Sequence, residues 1–444
     1  MSIRLFLVYL SLPVIVLLIL RTPFWGMACM IAYYSIRPDI WGAPAFLRPA
    51  FIFTLSTFVS FIIHFKEEKG IHFDASLVLV AALGIWMLAT SSHAQYSSPA
   101  AEDAAIRYLK VSLQMYLAAS LINTKKRVDT FFWIIVMGML WLTKSVVFQY
   151  LAGVERADPL GGTGSGGNSM ATVLGMTVPF LCYKLMSGKP WERFVAIVAI
   201  PCWIFDVVAI GSRGAFIGFG LAMTLFLLMS RKKLKAGLII AAILIMLSTI
   251  GTTYFWQRMS SISEYQMDTS SANRLQMWRA ALERAKHRPV LGIGTANFAY
   301  ISDQELRMHS RYGGGLRVHN AFLELLAENG IPGLLLYLLA ILITLNYLRK
   351  SKKLSKRIGA HDGAMLALCL QIAIIVFLFR GLTGSNQGDD VFYYFLGASI
   401  GLYRYLKQVS ENPEAELELA AIRPASDVRV NPVAEARPLP WSRS

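Results

Sequence analysis

Apolar runs long enough to cross a bilayer recur from one end of this chain to the other, and nothing else in it limits the fold so severely. A hydrocarbon core about 30 Å thick asks for roughly 17 to 25 apolar residues per spanning helix. Runs at or near that length cover residues 5–20, 24–36, 50–65, 76–92, 108–122, 130–150, 169–186, 194–210, 214–230, 236–255, 331–348, 364–383 and 390–406. The count is twelve or thirteen, because the first two share the Arg21-Thr-Pro23 break and one of them is then short or re-entrant. With 55% hydrophobic and 16% charged residues over 444 positions, the chain is too apolar for a soluble domain of that size. Its mean hydropathy of +0.49 agrees. The expected class is all-α, a polytopic integral membrane protein. The run at 5–20 follows Arg4 as a signal peptide would, but no small-residue cleavage site precedes Phe24, so it reads as a retained span.

The net charge of +16 does not point to nucleic acid, because the Lys and Arg clusters sit in short loops between spans. Lys66 to Lys69, Lys125-Lys-Arg127, Lys189 to Arg193, Arg231 to Lys235 and Arg349 to Arg357 alternate onto one side, which the positive-inside rule makes cytoplasmic. Loops 37–49, 93–107, 151–168, 211–214, 256–330 and 384–389 then face outward. Cys29, Cys182, Cys202 and Cys369 lie in apolar runs without CxxC spacing and read as small core residues. The chain accordingly divides into N-terminal spans (1–150), central spans with an outward glycine-rich loop (151–255), a long outward interval (256–330), C-terminal spans (331–406) and a tail (407–444). Five prolines and few large apolar residues from Glu411 onward make that tail a disordered extension.

The outward interval is where chemistry is to be sought. Helical periodicity over residues 273–286 puts Leu275, Trp278, Ala281 and Leu282 on one face, with Arg274 one turn before Trp278. His287-Arg-Pro289 stops that helix, Gly292-Ile-Gly294 turns the chain, and Gly313-Gly-Gly315 offers a hinge. Asn320 is placed to cap a short helix that a left-handed Asn329-Gly330 ends, and Pro332 starts the next at its favoured first position. Seven arginines, at 274, 279, 284, 288, 307, 311 and 317, run against the positive-inside bias. Guanidinium groups hold phosphate bidentately and keep their charge, so an anionic ligand is expected on this face. Lipid headgroups are the plainer alternative.

Arg213, in Gly211-Ser-Arg-Gly214 between two apolar runs, faces either an anionic ligand or the outer headgroups. His319 is a candidate proton acceptor near neutral pH. Glu324 and Glu328 share a helical face that solvent would explain, and Asp389-Asp390 reads as a solvated loop. HExxH, paired CxxC and Walker signatures do not occur, and Gly292-Ile-Gly294-Thr-Ala-Asn-Phe298 does not fit the dinucleotide fingerprint.

Asn168 after a glycine-rich loop, Gly211-Ser-Arg-Gly-Ala215, Arg274-Leu-Gln-Met-Trp278, Pro289-Val-Leu-Gly-Ile-Gly294 and His319-Asn-Ala-Phe-Leu-Glu324 with Gly330-Ile-Pro-Gly333 stand in an informative order. That order resembles the O-antigen ligase and polymerase superfamily over roughly residues 1–405. The N-terminal third, with Arg21-Thr-Pro-Phe24, Arg37-Pro38 and Leu121-Ile-Asn-Thr124, is similar to the O-glycosylation ligases associated with exosortase systems. The loop before Asn168, Gly161-Gly-Thr-Gly-Ser-Gly-Gly167, departs from the proline- and acid-rich loop of that branch. The resemblance implies a GT-C-like membrane glycosyltransferase of the bacterial inner membrane, its site facing the periplasm, with no metal or other cofactor. It implies transfer of a glycan from a polyprenyl diphosphate carrier to a lipid, polysaccharide or protein acceptor. His319, Arg213 and Arg274 are then expected to be catalytic, and Arg288, Asn320, Asn168, Trp278 and Glu324 to bind substrate. Repeat-unit polymerisation on the same carrier, or transport of a lipid-linked sugar, are the alternatives.

Overall fold

Each of the thirteen apolar runs forms a helix in the computed structural model, which describes residues 3–36, 49–66, 73–159, 166–230, 232–251, 253–260, 269–308 and 315–412. In order these are α1 (Ile3–Arg21), α2 (Pro23–Ile36), α3 (Pro49–Ile63), α4 (Ala75–Ser91), α5 (Ser98–Leu121), α6 (Lys125–Leu151), α7 (Gly167–Ser187), α8 (Pro190–Ile210), α9 (Arg213–Met229) and α10 (Lys233–Ile250). After α11 (Thr253–Ser260), α12 (Thr269–His287) and the short α13 (Phe298–Tyr300) come α14 (Ala321–Arg357), α15 (His361–Gly381) and α16 (Asp390–Glu411). Among the described residues there is no strand, and six helices (α6, α7, α8, α10, α14 and α15) are long and apolar enough to cross a membrane. This is an all-α polytopic membrane protein. Arg37-Pro38, the glycines at 161–165, Arg231, Arg311, Gly313, Gly314 and the tail beyond 412 lie outside the described residues.

α7 sits at the centre, buried from Gly167 through Lys184 except at Asn168, and packs on α8, α9 and α15. Aromatic rings lock it to its neighbours: Phe132 stacks on Phe180 at 4.5 Å, and Phe377 on Phe392 at 3.9 Å joins α15 to α16. The two ends of the bundle are chemically different. At the basic end Lys184 pairs with Asp129 and with Glu192 (3.0 Å), and Lys125 with Asp362 (3.3 Å). The other end gathers the loops after α4, α6, α8 and α15 together with the interval between α11 and α14.

Two boundaries differ from expectation. α5 starts at Ser98, ten residues before the apolar run, because Ser97 accepts from the Ala100 amide (3.3 Å) and Pro99 occupies the first turn. Glu102, Asp103 and Arg107 in its first turns had given that stretch the polarity of a loop. α14 does bend at Gly330, but at φ 66°, ψ −173° rather than in the left-handed helical region. Only glycine fits there, since a Cβ would strike the Val290 carbonyl.

Candidate functional site

The outward interval has a core of its own. Met277 and Ala281 of α12 pack with Ile293, Phe298, Ile301, Val318 and Ala327, with Trp278 against them. The buried stripe therefore runs through Met277, Ala281 and Ala285, whereas Leu275 and Leu282, expected on the inner face, are exposed. The small alanines admit close approach of the chain before α14, which the longer leucines would hold off.

Asn297 fastens this unit to the bundle. Its Oδ1 accepts from the amides of Tyr96 (3.0 Å) and Ser97 (2.8 Å), and its Nδ2 donates to the Ser97 carbonyl (3.1 Å). Gly292 (φ 67°) and Gly294 (φ 96°) let the chain pass so close that a Cβ on Gly294 would meet Ala94. The Gly-Ile-Gly segment is thus a turn, as its sequence indicated, and the turn serves as a clasp.

The segment entering α14 carries His319. Trp278 Nε1 donates to the Val318 carbonyl (3.1 Å), the His319 amide donates to Ser385 Oγ (3.0 Å), and Asn320 caps α14 through the amides of Phe322 and Leu323 (both 3.1 Å). His319 adopts φ 56°, a left-handed conformation uncommon for a residue with a Cβ. Such backbone strain persists only where the surroundings impose it, and it concentrates at functional sites.

What imposes it here is Glu324, one turn into α14. The expectation of solvent-exposed Glu324 and Glu328 is wrong, for both are buried. Glu324 Oε1 accepts from Arg317 Nε (2.8 Å) and Gln387 Nε2 (2.8 Å), Oε2 accepts from the Val318 amide (3.2 Å), and Arg317 Nη2 and Ser385 Oγ donate to it as well. Protein donors engage both of its oxygens, which makes it the tie between the chain entering α14 and the loop after α15. Glu328 accepts from the Phe298 amide (3.1 Å) and holds the clasp to the same helix. Removing Glu324 leaves several buried donors without an acceptor, so Glu324→Ala should cost on the order of 3 kcal/mol. Unfolding of purified wild type and variant in one detergent checks this; equal melting temperatures would contradict it.

Around the half-buried His319 ring stand Arg274, Arg380, Arg317 and Glu324, close enough to set its charge. Burial, and next the Arg274 guanidinium, push its pKa down to about 4. Both effects favour the neutral imidazole near pH 7.

Arg380 is the residue that sequence reasoning missed. It lies near the end of α15 inside an apolar run, and the rule that flagged Arg213 applies equally to it. It is only 9% exposed; Nη1 donates to Thr383 Oγ1 (2.9 Å), and Nε is buried without a partner. Its electrostatic neighbours are Arg274, Asp389 and Arg156, and among the described residues no carboxylate stands within ion-pair distance. Two glycines make room for it: a Cβ on Gly384 would stand 2.7 Å from Nη1, and one on Gly214 3.5 Å from the same atom and 2.8 Å from Thr383 Oγ1. A buried guanidinium beside a second guanidinium is costly unless an anion joins them.

Other polar residues lie at the same end of the bundle. Gly211 ends α8 in the left-handed region (φ 58°, ψ 33°) and Ser212 Oγ caps α9 through the Ala215 amide (3.4 Å). This puts half-buried Arg213 next to the glycine that faces Arg380. Asn168 opens α7 and its Oδ1 accepts from Arg156 Nη2 (3.3 Å). Asp389 is half-buried rather than solvated, accepts from Ser169 Oγ (3.4 Å), and is raised to about 7 by burial and then by Asp390. Arg288 does not join them. It donates to the His93 carbonyl (3.1 Å) and lines a separate cavity.

Residues 194–338 match the O-antigen ligase family model. A ComP-specific O-oligosaccharyltransferase of Acinetobacter baylyi is 25% identical over 170 residues, 37% of this chain and 31% of that protein. An uncharacterized protein of Haemophilus influenzae is 24% identical over 253 residues, 51% of this chain and 61% of that protein. The chain thus spans between a third and three fifths of the length of these relatives.

Proposed function

We propose that this chain, similar to the O-antigen ligase family over residues 194–338, transfers a glycan from a polyprenyl diphosphate carrier to an acceptor hydroxyl at the outer face of the bacterial inner membrane. One observation carries this reading: buried Arg380, without a carboxylate partner among the described residues, lies within electrostatic reach of Arg274 and His319. Two fixed cations suit a diphosphate, and a neutral imidazole suits a proton acceptor. The Acinetobacter relative's name, an O-oligosaccharyltransferase, supports oxygen as the receiving atom.

In the proposed step the acceptor oxygen attacks the anomeric carbon as its O–H proton passes to His319. The bond from that carbon to the diphosphate breaks, and the carrier leaves with the bonding pair. Negative charge grows on the departing diphosphate, where Arg274 and Arg380 stabilise it, with Arg213 entering from the start of α9. The fixed guanidinium groups supply the charge that a divalent cation would otherwise bring, so transfer is expected to persist in EDTA. Loss of wild-type transfer in EDTA, restored by added magnesium, would refute the metal-independent form of the reading.

The pH dependence follows from His319. The free protein keeps the imidazole neutral down to about pH 4, so kcat/KM should hold level above that point and fall tenfold per unit below it. Bound diphosphate offsets the field of Arg274 and raises the pKa, so the acid limb of kcat should lie at higher pH than that of kcat/KM. A kcat/KM limb near 6.5, the ordinary histidine value, would contradict a desolvated base beside Arg274.

A further inference from the structure

A pocket opens at the same end of the bundle, lined by none of the residues of the His319 cluster. It has a volume of about 510 Å³ and is lined by Ser92 and His93 of the α4–α5 loop and by Arg288, Val290 and Leu291 of the segment after α12. Arg288 is held at its rim by the His93 carbonyl (3.1 Å), and Ser92 Oγ lies 3.1 Å from His93 Nδ1. No lining side chain is acidic. Val290 and Leu291 are exposed, an unusual state for neighbouring aliphatic residues in a polar loop.

The pocket stands over a seam between two spans. Gly330, where α14 bends, is in contact with the Val290 carbonyl, and α4 ends at Ser91, the residue before the pocket's wall. Below it α4 exposes Ile85 and Leu88, and α14, packed against α4, exposes Ile331 and Leu335. A cation, a hydroxyl and an imidazole thus stand at the end of two helices that carry exposed apolar residues.

We propose that this pocket binds the phosphate headgroup of an anionic membrane lipid, with Arg288 as its principal charge and the α4–α14 seam as the bed for an acyl chain. The guanidinium reaches phosphate with strong paired donors, Ser92 and His93 add hydrogen bonds, and Val290 and Leu291 meet the glycerol region. The occupant is separate from the diphosphate at Arg380, so the site stands whether or not that reading holds.

The test is native mass spectrometry of the full-length protein, delipidated in detergent and titrated with phosphatidylglycerol or with diacylglycerol of the same chains. Wild type should retain one phosphatidylglycerol selectively over diacylglycerol, Arg288→Gln should weaken it by about tenfold, and Arg288→Lys should keep most of it. Arg279→Gln, at an exposed arginine of α12 that does not line the pocket, should leave binding unchanged. Equal retention in Arg288→Gln, or equal loss in both glutamine variants, would overturn the proposal. So would displacement of the lipid by millimolar inorganic phosphate, since the site would then be one for a free anion.

Discussion

Replacing His319 with asparagine should lower the turnover of glycan transfer by roughly a hundred to ten thousand fold, the usual cost of losing a general base, while capture of the diphosphate carrier stays near the wild-type level. Asparagine is the informative choice because His319 sits at φ 56° and asparagine tolerates that region better than alanine. Loss of the ring is then separated from relaxation of the backbone. The carrier should still bind, because Arg274 and Arg380 remain. Rapid-mixing measurement of a single turnover, with carrier binding measured on the same preparation, separates the two effects. A variant that turns over normally would remove His319 from the chemistry and leave Asp389, raised to about 7 and close to Arg380, as the next proton acceptor to examine.

Arg380→Gln should cost roughly a hundred to a thousand fold in kcat, as removal of a preorganised charge-stabilising donor does. The loss falls on kcat because the leaving diphosphate gains charge in the transition state, so the donor matters more there than in the bound complex. Arg380→Lys keeps the charge but loses the fork, and should recover part of the rate. Gly384→Ala should act in the same direction without touching the guanidinium chemically, since its Cβ would stand 2.7 Å from Nη1 and displace it. If Arg380→Gln folds, inserts and transfers glycan at the wild-type rate, the buried guanidinium is structural and the diphosphate belongs elsewhere.

The sequence was legible where one local rule decided the outcome. Apolar run length located the spans, glycine and proline located the bend at Gly330, and Asn320 capped α14 as its residue type required. It was opaque where burial depended on a partner far along the chain. Glu324 and Glu328 have the spacing of a solvated face, yet the Ser385 and Gln387 loop, some sixty residues away, folds over Glu324. Arg380 hid inside an apolar run whose hydropathy outweighed it, although one arginine at membrane depth is itself a signal. Leu275 and Leu282 outscored the alanines of α12 in hydrophobicity, but close helix packing selected the small face. The grouping of His319 with Arg274 was reached from motif order; its addition of Arg380, and the separation of Arg288, needed three dimensions.

The measurement closest to the central claim is a paired one on the purified wild-type protein in lipid nanodiscs, with EDTA present, a glycan-labelled polyprenyl diphosphate donor and a hydroxyl-bearing acceptor shown to be competent. Label transferred to the acceptor and glycan-free polyprenyl diphosphate released are counted in the same reaction. The two should appear in equal amounts, with both lost together in Arg380→Gln. Recovery of the donor intact, under conditions where the same protein carries it across a sealed bilayer, would contradict glycan transfer and make this chain a transporter.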